Sequence, residues 1–351
     1  MGKLGRHIAC FIFSAKLVFL LLTTFGSLQS IAGERKDTLV NREWRDTIRL
    51  EKAQIYEVNP EYSLMFYRPK PFQFAKNVPS DLYLLGKTAF SKKNLPKLGA
   101  ILGGTALLIA VDQPVIDAAR QFGRYINLDP ARKSKTVIEV DFGSFSVDVL
   151  ELPQNVNSAM YFLGEGWPSI LLAGGFYTYG LASNDYRALQ TTSQLAEMFF
   201  TLAITTQFLK RITGRESPFR AIKPAGDWHL FPSPAHYQQN VSKHDAFPSG
   251  HLATAMATVT ILAGNYPEKK YIKPVGYTLM GLLAYSMLNN EVHWISDYPL
   301  AIAIGYTCGK IALSRGNQVI PLLSNANGAS STLTPAFFRE GGIGLSYRAT
   351  F

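Results

Sequence analysis

The chain has 351 residues, 47% of them hydrophobic and 12% aromatic against 17% charged, a balance that excludes a disordered protein and provides for a large core. Lysine and arginine number 35 and aspartate and glutamate 25, a net charge of +10 that suits phosphorylated substrates, lipid headgroups or nucleic acid without choosing among them. No recognition motif supports nucleic acid, and two cysteines, Cys10 and Cys308, exclude a cysteine-based zinc site.

Residues 1–32 read as a secretory signal: Lys3, Arg6 and Lys16 precede an uncharged stretch, and Ser30-Ile31-Ala32 offers small residues at a cleavage site. An uncleaved membrane anchor is the alternative. Removal takes Cys10 and leaves Cys308 alone, so no intramolecular disulfide is expected. Residues 33–95 read as an envelope-exposed N-terminal segment, charged at Glu34, Arg35, Lys36 and Asp37, then punctuated by Pro60, Pro69, Pro71 and Pro79.

From Lys97 the chain turns apolar. The runs 99–111, 166–183, 198–209, 251–266, 274–290 and 298–309 predict six helices of an all-α bundle occupying residues 96–315. Between the first two, Val137, Ile138, Val140, Phe142, Phe145, Val147 and Val149 alternate in part with Glu139, Asp141 and Asp148, which predicts a small β-hairpin within 135–150 turning at Gly143-Ser144. In the C-terminal tail, 316–351, Ile343, Leu345, Tyr347, Ala349 and Phe351 alternate after Gly341-Gly342, a second hairpin, although the same pattern also suits an outer-membrane strand.

The apolar runs fall short of the ~20 residues that span a bilayer. Gly99, Gly103, Gly104, Gly174, Gly175, Gly276 and Gly281 favour a membrane bundle, because small residues let helices approach closely in lipid. The number of crossings does not balance with a cleaved signal, and a soluble periplasmic bundle stays open.

Three segments carry chemistry. In Pro248-Ser249-Gly250-His251, at the start of an apolar helix, backbone N–H groups and a hydroxyl form an anion cradle, with a histidine in the first turn. In the stretch from Ser286 to Asp297, His293 and Asp297 stand four apart and share one face if the stretch is helical, the carboxylate orienting the imidazole. Upstream, Lys210, Arg211, Arg215 and Arg220 cluster beside Pro218, cations that can hold a phosphate. Each segment alone also suits an ordinary capped helix, surface pair or solvated loop. His229, His236 and His244 lie in a proline-rich loop and read as packing, and Glu165 and Glu197 as helix-end or paired carboxylates.

Together, in this order, the segments resemble the type 2 phosphatidic acid phosphatase and vanadium haloperoxidase superfamily, whose pattern is K-x6-R-P, then P-S-G-H, then S-R-x5-H-x3-D at the ends of bundled helices. Lys210 and Pro218, Pro248 to His251, and Ser286, His293 and Asp297 match; Ser217 and Met287 stand where the family has arginine. The resemblance implies a metal-independent phosphatase without a cofactor, hydrolysing phosphomonoesters or pyrophosphates, lipid phosphates first and small phosphoesters second. His293 would attack phosphorus to give a phosphohistidine, Asp297 would orient it, and His251 would protonate the leaving group. Lys210, Ser249 and Gly250 would hold the phosphate, with Arg215 and Arg220 as candidate substitutes for the missing arginines and Lys243 and His244 as weaker ones.

The signal-like segment and the lone remaining cysteine fit a bacterial cell-envelope protein, membrane-bound with a periplasm-facing site or else soluble in the periplasm, and no sequence feature calls for a nucleic-acid or obligate protein partner. A catalytically weak phosphate- or lipid-binding protein is the rival reading. A vanadate-dependent haloperoxidase is disfavoured by the absent arginines.

Overall fold

A computed structural model describes residues 53–141, 146–321, 330–337 and 343–350. The expected signal segment and the turns at Gly143-Ser144 and Gly341-Gly342 lie outside the described residues.

The first elements are a hairpin of β1 (Ala53–Asn59) and β2 (Tyr62–Tyr67), its turn tied by Asn59 Oδ1, which accepts from the backbone N–H of Glu61 at 2.9 Å and of Tyr62 at 3.0 Å. β2 also pairs antiparallel with β5 (Asn317–Pro321), so the sheet runs β1-β2-β5. Helix α1 (Gln73–Ala89) then lies on the bundle. Contacts tie residues 53–89 to the helices that follow: buried Asp81 accepts from Arg315 at 2.7 Å, and Asn77 donates to Glu197 at 2.6 Å.

α2 (Leu95–Ile109) and α3 (Asp112–Tyr125) follow, bent 66° at the break between them. β3 (Ser134–Asp141) and β4 (Ser146–Pro153) pair antiparallel as the expected hairpin. After them come α4 (Val156–Phe162), α5 (Gly166–Ala182), α6 (Tyr186–Thr213), α7 (Pro234–Gln239), α8 (Gly250–Asn265), α9 (Ile272–Asn289) and α10 (Tyr298–Gly316). β6 (Ser330–Phe337) and β7 (Ile343–Thr350) form the C-terminal hairpin.

The six expected helices are α2, α5, α6, α8, α9 and α10, within a fold of the expected all-α class. α6 begins twelve residues before the expected 198, because Asp185 caps it by accepting from Ala188 N–H at 2.8 Å and the buried Arg187 is paired with Glu268 at 2.7 Å.

The core lies among α6, α8, α9 and α10, where Leu195, Met198, Leu252, Ile261, Leu283 and Leu313 are buried. α8 and α10 approach most closely: a side chain at Gly305 would strike the Ala253 carbonyl, and one at Gly309 would come within 2.9 Å of Thr260. Because α6 and α8 run antiparallel, the end of α6 and the start of α8 meet at one end of the bundle. Arg187 and Asn265, joined by a 2.6 Å bond, close the other.

Outside, apolar side chains face solvent along α2 (Leu102, Leu107), α5 (Ile170, Leu171, Leu181) and α6 (Ile204, Phe208). Among the described residues no single helix is long and apolar enough to cross a membrane, although α2 and α3 taken together meet the length and composition for it.

Candidate active site

Lys210 sits in the last turn of α6 with its side chain buried and its Nζ 3.0 Å from Asp245 Oδ1. The helix stops at Gly214, whose φ of 53° is the left-handed conformation glycine adopts without strain. A Cβ there would also strike the His229 carbonyl. The chain then runs inward through buried Arg215, Glu216 and Ser217 and is laced to the segment before α8: Ala246 N–H donates to Arg215 O, and Ser217 N–H to Ser242 O, both at 3.0 Å.

Ser249 caps α8, its Oγ accepting from Leu252 N–H at 3.4 Å and donating to Met287 Sδ at 3.6 Å. A Cβ on Gly250 would lie 3.8 Å from Lys210 Nζ, so the ammonium stands directly over the first turn of α8. The helix N-terminus and the lysine thus present positive potential to one point. His251, half-buried in that first turn, has its ring 4.5 Å from Tyr161 and 5.8 Å from His293. Burial, then the neighbouring His293, Lys210 and Arg132, hold its pKa well below the usual histidine range.

His293 and Asp297 do come together, but not on an α-helix. The backbone at Trp294 is extended (φ −81°, ψ 155°), followed by a 3₁₀ turn over Ile295–Asp297 between α9 and α10. Asp297 folds back, its Oδ2 accepting from Trp294 N–H at 2.8 Å and facing His293 Nδ1 at 3.3 Å. Nε2 is left as the ring nitrogen turned away from the carboxylate. The other oxygen, Oδ1, accepts from Arg215 Nη1 at 2.6 Å.

Arg215, a candidate phosphate ligand in the sequence, is engaged by protein partners on several sides. Its Nη1 also donates to Ser296 Oγ, its Nη2 to Asp112 Oδ2 at 2.6 Å and to Ala225 O at 3.0 Å, and the indoles of Trp228 and Trp294 cover the guanidinium at 4.7 and 5.4 Å. With no exposed surface and four of its donor bonds made to protein, it lies behind the site rather than in it. Arg220 is exposed, and its Nε donates to Ser242 Oγ at 3.2 Å. Lys243 is exposed too, whereas His244 is fully buried with its Nε2 3.0 Å from His236 Nδ1.

The positions that carry arginine in the sequence pattern are closed: Ser217 is buried under the Ser242 loop, and Met287 is fully buried beneath Ser249. Asp112, at the start of α3, escaped the sequence reading. Its Oδ1 accepts from Ser296 N–H at 3.0 Å, its Oδ2 accepts from Ser296 Oγ and Arg215 at 2.6 Å, and burial pushes its pKa up to about 6 against the lowering effect of Arg215. Its only sequence signal is an acid between an apolar run and Pro114. Tyr161 and Asp245 were missed for the same reason, neither lying in a motif.

Residues 192–319 match the family model of the PAP2 superfamily. Over 68 residues the chain is 32% identical to a lipid A 1-phosphatase of Porphyromonas gingivalis, a match that covers 19% of this chain and only 15% of that relative. No solved structure matches. The matched stretch, residues 192–319, is the one whose segments the fold gathers at one end of the bundle, and over that stretch the chain is similar to the PAP2 superfamily.

Proposed function

We propose that the protein is a phosphatase that hydrolyses lipid phosphates through a phosphohistidine. The observation that carries this reading is the directed pair: His293 Nδ1 faces a buried carboxylate that Arg215 holds from behind, and the imidazole ring lies 5.8 Å from that of His251. A hydrogen-bonded carboxylate fixes the tautomer with the proton on Nδ1 and the lone pair on Nε2.

Nε2 attacks phosphorus, an N–P bond forms, and the bond from phosphorus to the leaving oxygen breaks. His251, neutral in the empty site, is protonated when the phosphate anion binds beside it and offsets the neighbouring cations, and it gives that proton to the leaving oxygen. Water then attacks the phosphohistidine, neutral His251 takes the proton from water, and the N–P bond breaks to release inorganic phosphate. Lys210 and the N–H groups at the start of α8, with Ser249 capping them, stabilise the equatorial oxygens, and Arg220 is the cation available from the loop before α7.

Lipid phosphate is favoured over a soluble phosphoester by the exposed apolar faces of α2, α5 and α6 and by the partial similarity to a protein named for lipid A dephosphorylation. These features also support a membrane-associated protein of the cell envelope. The second reading, a phosphate- or lipid-binding protein with little turnover, is favoured by Ser217 and Met287, since the loss of one such electrostatic contact commonly costs ~10²–10³ in rate.

Phosphate release from phosphatidic acid, an undecaprenyl pyrophosphate and an aryl phosphate, compared between the native chain and His293→Ala, separates the two readings. Release that the substitution abolishes supports the enzyme; no release from any substrate supports the binder.

A further inference from the structure

We propose that Arg132 supplies one of the phosphate-holding charges missing at Ser217 and Met287, reaching the substrate phosphate from the His251 side. This rests on the phosphatase reading above. Arg132 lies in the segment before β3, far in sequence from the three motifs.

Its backbone is pinned. Asn155, the cap of α4, accepts from Ser158 N–H at 2.7 Å through Oδ1 and donates to Ala131 O at 2.7 Å through Nδ2, while Lys133 N–H donates to Ser158 Oγ at 2.8 Å. The side chain is not. Its guanidinium lies 5.0 Å from the centre of the Tyr161 ring, and among the described residues it makes no hydrogen bond or ion pair. Lys133 next to it is already paired with Asp129 at 2.7 Å.

The same tyrosine ring stands 4.5 Å from His251, and His251 stands 5.8 Å from His293, so three ring contacts lead from Arg132 to the proposed nucleophile. Arg132, Tyr161, Glu151 and Glu165 line one pocket. The guanidinium is near enough to Glu165 to act on it electrostatically, while among the described residues no ion pair joins the two.

An arginine with unspent donors, anchored at its backbone and seated on an aromatic face, can make bidentate bonds to a phosphate at small entropic cost. The other arginine expected to fill this role, Arg215, is committed to Asp297 and Asp112. Because phosphate is common to every substrate, the contact affects all of them alike.

The test uses the full chain in detergent, with Arg132→Ala and Arg132→Lys, phosphatidic acid and an aryl phosphate as substrates, and inorganic phosphate as the inhibitor and binding probe. In Arg132→Ala, kcat/KM is expected to fall ~10²-fold for both substrates, with a parallel loss of inhibition by phosphate and partial recovery in Arg132→Lys. Arg132 is exposed, so an unchanged melting temperature is expected alongside.

Native phosphate inhibition in Arg132→Ala overturns the proposal, as does a loss confined to the lipid substrate. If His293-dependent turnover persists while Arg132→Ala is silent, this inference fails and the phosphatase reading stands. If the native chain releases no phosphate but binds it, calorimetric affinity in Arg132→Ala decides the inference. Absence of any phosphate binding overturns both.

Discussion

Arg215 and Asp297 form a buried ion pair at 2.6 Å on the side of the carboxylate away from His293, so the arginine that the sequence offers as a ligand instead fixes the residue that fixes the histidine. Removing it leaves Asp297 and Asp112 as two uncompensated buried carboxylates. Arg215→Ala is expected to lower stability by about 3–5 kcal/mol, read in chemical denaturation. A change below about 1 kcal/mol would mean the pair is solvated and not the anchor described here.

Asp112 makes the site sensitive to pH. Its folded pKa of about 6 lies above that of an unfolded aspartate, so between about pH 4 and 6 the folded state binds more protons than the unfolded state. The stability this group contributes is therefore present at low pH and is lost as pH rises through that window, on the order of 2–3 kcal/mol at ~1.4 kcal/mol per unit. Asp112→Asn cannot titrate. Unfolding curves across the window should lose this decline in the variant; identical pH slopes in both proteins would contradict the assignment.

Gly164, in the turn between α4 and α5, lies against the proposed general acid. A Cβ there would sit 2.6 Å from His251 Cβ and 2.7 Å from Leu283 Cδ2, neither of which can rotate out of the way cheaply. Gly164→Ala is expected to cost about 1–3 kcal/mol in stability and, by displacing His251, ~10²-fold in kcat. Native kcat in a folded variant would show that the position of His251 is not critical.

Lys210 and Asp245 offer a separate test of phosphate binding. The lysine is buried with its ammonium over α8 and its only ion pair, among the described residues, to Asp245. Lys210→Met should weaken inhibition by inorganic phosphate ~10-fold or more while keeping the fold, since the methionine fills similar volume. Unchanged inhibition would remove Lys210 from the site.

The helices with continuous apolar runs were legible because burial on most sides leaves a run of apolar residues that needs no partner to be recognised. α1 and α3 were not. Their charged residues, Asp81, Asp112 and Arg120, are carried by partners distant in sequence, Arg315, Arg215 and Glu291.

The pairing of His293 with Asp297 was legible as a spacing of four, but the backbone that achieves it was not, because an extended Trp294 and a 3₁₀ turn give the same approach as a helical turn. Sequence proximity to Ser217 says nothing of the direction in which Arg215 points. Only the arrival of Asp112 and Ser296 from other elements decides that its donors point inward.

The central claim is that His293 carries the phosphoryl group. Acid-quenched incubation of the native chain, His251→Ala and His293→Ala with a phosphate-labelled lipid substrate tests it most directly, by digestion and identification of the labelled residue. Acid-labile, base-stable label on His293 in the native chain and its absence from His293→Ala are the expected result. Turnover in His293→Ala, or label on another residue, would contradict the mechanism.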